Sequence, residues 1–163
     1  MSSTNKTSLG LNMWEASDKP VRQDFVNDNV IINEKITKLN SDLAFEYQEV
    51  TYNGLTWLTW IFKYKNFRII SSRAYVTVAV STAWGSGIYA SDPAAMNTAF
   101  PFTEEFNSTP LVYTEFAPDG TNAWTQIINK PTTQNAPSIQ LLRGTSNASV
   151  RGFINLLVIG DIK

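Results

Sequence analysis

Apolar side chains recur at two different periods along the chain, and the change falls near residue 45. Phe25, Ile32 and Leu39 stand seven apart, and Asn29, Ile36 and Leu43 each follow one of them by four. Alternating steps of four and three form the seam of a short coiled coil, with Phe25, Ile32 and Leu39 at d and Asn29, Ile36 and Leu43 at a. Asn29 is then a polar seam residue, of the kind that sets register and strand number at some cost in stability. Isoleucine at both Ile32 and Ile36 favours three or more strands over two. Val26, Val30 and Ile31 lie off the seam and fit the alternative, an amphipathic helix resting on its own domain. Asp18 supplies a cap and Pro20 a helix-starting residue, and no Gly or Pro follows until Gly54. The spacing predicts a helix over 21–45, marginal unless it packs against neighbours.

Beyond residue 45 the period drops to two. Residues 46–52 and 55–64 flank Asn53-Gly54, the turn pair of a type I′ hairpin. Further strands are predicted over 67–70, 73–84, 111–116, 123–128, 138–142 and 150–159, separated by Gly and Pro turns. Eight or nine short strands without helical crossovers predict an antiparallel, jelly-roll-like β-sandwich, with a closed barrel as the next form. The stretch 85–98 reads as a surface loop. Trp57 and Tyr64 fall on opposite strand faces, so both faces of the hairpin are expected to be covered, one by another subunit. The chain thus divides into an irregular segment 1–20 with one apolar knot (Leu9, Leu11, Met13, Trp14), an oligomerisation helix 21–45, and a mainly β head 46–163.

Composition removes most chemistry. The chain of 163 residues has no His and no Cys. Imidazole bases, thiol nucleophiles, disulfides and His- or Cys-ligated metals are therefore excluded. Thirteen basic and fourteen acidic residues leave a net charge of −1, with no clustered positive charge for nucleic acid or anionic lipid. Asn, Ser and Thr number 46, which makes a wet, nearly neutral surface. No apolar run approaches a membrane span, so no membrane insertion is expected. Met1 to Ser8 are polar, which predicts synthesis in a cytoplasm without export by the general pathway.

Carboxylates remain as candidate catalysts. Five acids and no Lys or Arg lie between Ala74 and Asn129, among them the neighbours Glu104 and Glu105. A carboxylate pair can hydrolyse glycosides, but adjacent strand residues face opposite ways and make no pair by themselves. No D-x-D-x-D-G loop is present for calcium, and no cofactor, metal or catalytic residue is expected. Aromatics are the stronger lead. Sugars present apolar C–H faces rimmed by hydroxyls, so a shallow site needs an exposed ring beside polar partners. Trp84, Tyr89 and Asp92 form one such mixture, and Asp119, Asn122 and Trp124 another. Trp57, Trp60, Phe62, Tyr64, Tyr113 and Phe116 read as core or interface.

Two stretches resemble tailed-phage attachment proteins. Leu9-Gly10-Leu11-Asn12-Met13-Trp14, with Asp18-Lys19-Pro20 and the helix after it, resembles the segment by which fibres and receptor-binding proteins join their virion. Phe100-Pro101-Phe102, Thr109-Pro110-Leu111-Val112, the strand around Trp124 and Arg151-Gly152-Phe153-Ile154 resemble fibre-tip β-sandwich domains and, more distantly, the H-type lectin domain. The resemblance implies a homotrimer located in the virion and made in the host cytoplasm. It implies docking to a tail, baseplate or other virion protein through Leu9, Leu11, Met13 and Trp14, and binding of a host surface glycan. A purely structural protein decorating a head or tail is the alternative, and a carboxylate-dependent depolymerase a third. No repetitive shaft separates anchor from tip, which predicts a stubby fibre or spike.

Overall fold

A computed structural model describes residues 5–14, 18–96, 98–120 and 122–163, without the Ala95 side chain. Met1 to Thr4 and Glu15 to Ser17 of the expected anchor, and Thr121 of the loop before Trp124, lie outside the described residues. The chain forms two compact units, Met1–Ala44 and Phe45–Lys163.

In the first unit, residues 5–14 make a small turn that closes on itself. The Gly10 N–H donates to the Thr7 carbonyl at 2.9 Å, with Gly10 at φ 89°, and Lys6 bridges to Asn12. Asn12 donates its backbone N–H (3.1 Å) and its side-chain amide (2.9 Å) to one Asp28 oxygen. The Trp14 and Phe25 rings lie 5.7 Å apart. Helix α1 covers Arg22–Asp42, so its ends differ from expectation at both termini. Val21, not Asp18, is the N-cap residue, and Pro20 lies one residue outside. The buried Asp24 carboxylate reaches back to accept the Val21 N–H at 2.9 Å, which satisfies a donor that a Pro20 start leaves open. At the other end Leu43 adopts φ −118° and ψ 110° and begins a strand. The alternation Phe45, Tyr47, Glu49 suits a pleat better than another helical turn. Leu43 therefore leaves the helical seam, which retains Phe25, Asn29, Ile32, Ile36 and Leu39.

The second unit is mainly β. Strands β1 (Leu43–Tyr52), β2 (Leu55–Tyr64), β3 (Phe67–Gly85), β4 (Ile88–Ser91), β5 (Leu111–Pro118), β6 (Trp124–Asn129), β7 (Ser138–Arg143) and β8 (Asn147–Asp161) join one antiparallel sheet. Asn53 at φ 47° and Gly54 at φ 83° make the expected left-handed turn between β1 and β2. Strand β3 runs unbroken for 19 residues where two strands were expected. Ser72 does not interrupt it, because its buried hydroxyl is satisfied by the Thr59 hydroxyl at 3.0 Å. One edge of β3 pairs with β8 from Phe67 to Val80; the other pairs with β2 up to Arg73 and with β4 from Val80. Strand β8 passes the sheet to β5, and β4 passes it through β7 to β6. The stretch 85–98 is thus not a bare loop. It holds β4 and a one-turn helix α2 (Pro93–Met96), opened by Asp92, whose carboxylate accepts the Ala94 N–H at 2.9 Å.

The ladder is one open sheet, so the pairing does not separate the strands into the two sheets of the expected sandwich. Its far members approach at one point, where Thr114 of β5 and Thr125 of β6 share a 2.9 Å hydroxyl bond. Inside lie Trp57, Val76, Val80, Phe100, Ile139, Leu141, Val150, Ile154 and Leu156. The rings of Trp57, Phe100, Phe102 and Phe106 follow one another at 4.8, 6.1 and 5.0 Å and lead to a second cluster of Ile61, Ile70 and Val158. Each fully buried Ile or Leu stabilises the fold by about 1.5–3 kcal/mol. The buried hydroxyls here are partnered, while the Trp57 indole N–H has no hydrogen-bond partner among the described residues. Thr98 Oγ1 donates to the Pro137 carbonyl and accepts the Ile139 N–H, and Ser91 Oγ accepts the Leu141 N–H.

Candidate functional site

The adjacent acids Glu104 and Glu105 have structural partners. Glu104 accepts two bonds from the guanidinium of buried Arg68, at 2.8 and 3.2 Å, and Glu105 pairs with Lys163 at 2.6 Å. The hydrogen bond from Arg68, helped by the Arg68 and Lys63 charges, holds the Glu104 carboxyl below its ordinary value against the opposing effect of burial. A depressed pKa stabilises the fold above the ordinary carboxylate range, and that contribution is lost as pH falls through the depressed value. Glu104→Gln is therefore expected to lower stability at pH 7 by about 2 kcal/mol, less than a fully buried pair because the carboxylate is partly exposed. Chemical denaturation of both proteins across pH checks this: the difference should vanish in acid.

The six candidate sugar contacts come from four places. Trp84 is exposed at the β3–β4 hairpin, and Tyr89 of β4 is half-buried against the core. Asp92 caps α2, as above. The Asp119 carboxylate accepts the Tyr75 hydroxyl at 2.5 Å, which raises the Tyr75 pKa. Asn122 and Trp124 are exposed at the start of β6. Trp124 pairs with Leu142 and Tyr89 with Arg143, so their strands are separated only by β7. Among the described residues no ring contact or hydrogen bond joins any two of the six. The structure spreads them over the β3–β4 hairpin, the start of α2, the end of β5 and the start of β6, and does not assemble them into one cleft.

Two apolar surfaces stand out instead. The first is the α1 seam, with Phe25, Ile32, Ile36 and Leu39 all exposed, Ile36 at 53% and Leu39 at 59%. The knot residues are similarly open: Leu9 and Met13 are exposed, Leu11 and Trp14 half-buried. The second is the outer face of β2, β3, β8 and β5. Register aligns it in rows. Phe62, Ile69, Ile159 and Leu111 form one; Trp60, Ser71, Leu157 and Tyr113 the next; Leu58, Arg73, Asn155 and Glu115 the third; Tyr75, Phe153 and Ala117 the fourth. Directly opposed residues share a face, and alternate positions such as Ile70, Ser72, Ile154 and Val158 point into the core. Tyr47 of β1 extends the second row, its ring tilted by 49° against that of Trp60 with centroids 5.5 Å apart. Leu111 is 54% and Tyr113 58% exposed.

Sequence reasoning identified Trp60, Phe62 and Tyr113 as core or interface but missed Arg73, Tyr75, Glu115, Phe153 and Leu157. The available signal was Phe153 to Ile159, apolar on both faces of one strand, which a half-solvated sheet does not require. Among the described residues no helix is long and apolar enough to cross a membrane. Comparison with protein-family models, curated proteins and solved structures gave no match.

Proposed function

We propose that the chain is a virion attachment protein: a short homotrimeric fibre or spike whose helices bundle, whose N-terminal knot (Leu9, Leu11, Met13, Trp14) docks on another virion protein, and whose β head presents glycan-contacting loops. The observation that carries this reading is the exposed heptad stripe of α1, Phe25, Ile32, Ile36 and Leu39, with Asn29 among them. An exposed apolar stripe of that period gains most by meeting copies of itself. Three heads then multiply a weak sugar contact, because linked sites gain avidity without new contacts. Trp84, Trp124 and Asn122 remain exposed to offer that contact. No residue has a catalytic role in this reading. A glycan array with host envelope polymers tests it: binding by the assembled protein that falls in a Trp84→Ala, Trp124→Ala variant is the expected result.

A purely structural role in the particle is favoured by one observation. Asp92 and Asp119, which would partner the sugar hydroxyls, are already engaged with the Ala94 N–H and the Tyr75 hydroxyl. An assembled protein that binds no glycan, and without which particles fail to form, would establish that role in place of receptor binding.

A further inference from the structure

The outer face of β2, β3, β8 and β5 carries a charge arrangement that a copy of the same chain completes. Arg73 and Glu115 sit at one level of the sheet, on either side of Asn155 of the central strand β8. Strands about 4.8 Å apart put their backbones about 10 Å from each other. Both are exposed, and neither belongs to an ion pair of the described residues. The Arg73 guanidinium instead lies over the Trp60 and Phe153 rings, 5.4 and 5.2 Å from their centroids. Around this row the surface is apolar. Leu111, Tyr113, Tyr75 and Leu157 alone expose on the order of 300–500 Å², more than scattered surface residues account for.

We propose that this face packs against the same face of further copies of the chain, around a rotation axis running along β8, so that Arg73 pairs with Glu115 of the partner subunit. The argument is one of symmetry. Rotation about an axis parallel to the strands keeps each residue's level and brings the β2–β3 side of one copy against the β5 side of the next. This holds for a twofold axis and for every interface of a threefold. A cation and an anion at one level, on opposite sides of that axis, are then self-complementary, which a foreign partner would not require. The same operation brings the partner subunit's Tyr113 toward Ser71, at the edge of a depression of about 310 Å³ lined mostly by β5 and β8, with Tyr113, Glu115, Asn155 and Leu157 among its walls. The inference rests on the self-assembly reading above and names the face that the assembly buries.

The chain has no cysteine, so single thiols can be introduced cleanly. Leu157→Cys lies by the axis, and two packed sheet faces are about 10 Å apart. A bismaleimide of that span is expected to give covalent dimers of Leu157→Cys protein, and none of Asn129→Cys protein, whose thiol stands on exposed β6. In parallel, Arg73→Glu and Glu115→Arg should each raise the concentration for half-assembly by about tenfold or more, and the combined exchange should restore it. An assembled protein that neither cross-links through residue 157 nor responds to the single exchanges overturns this face and leaves assembly through α1 standing. A chain that does not assemble at all overturns both.

Discussion

Ile32→Asp combined with Ile36→Asp is expected to turn the assembled protein into an 18.2 kDa monomer with its sheet intact. Both residues are exposed in the single chain, so the fold loses nothing when they change. In a seam, by contrast, each carboxylate must be buried against apolar neighbours, at a cost of several kcal/mol. About 3 kcal/mol already shifts an association constant more than 100-fold. Sedimentation and far-ultraviolet circular dichroism, read together, check both halves. Asn29→Ile should act in the opposite direction, tightening assembly while loosening its fixed copy number.

Gly152→Ala should destabilise the head by about 3 kcal/mol, lowering the thermal midpoint by about 6–12 °C. Gly152 sits in β8 at φ 155°, directly beneath β5. A Cβ there would stand 2.3 Å from the Ala117 carbonyl oxygen and 2.8 Å from Pro118 Cα. Both are backbone atoms of a paired strand, so no rotamer change relieves the clash, and β5 must lift from β8. Differential scanning calorimetry measures the loss. Gly144, with open space around its Cβ position, is the matched control, and Gly144→Ala should change the midpoint little.

How much of this was legible beforehand depended on distance along the chain. The Asn53-Gly54 turn and the period of α1 are local, and both appear where the sequence puts them. The helix ends were less legible. Asp24 caps from inside the helix, a role that Asp18 and Pro20 imitate, and Leu43 continues the heptad while its successors demand a strand. Strand β4 was hidden because four residues carry too little periodicity to distinguish them from a loop. Side-chain partnerships were not legible at all. Glu104 meets Arg68 across 36 residues, and Asp119 meets Tyr75 across 44, so two carboxylates that looked free for chemistry or ligand are held by the fold. The outer sheet face is a product of register, since Arg73 and Glu115 share a row only because both pair with Asn155.

The central claim is self-association through an exposed helical stripe, and mass in solution tests it most directly. Sedimentation equilibrium of the intact chain at micromolar concentration should give about 55 kDa, three times the 18.2 kDa protomer. A single species at 18.2 kDa across that range would contradict it.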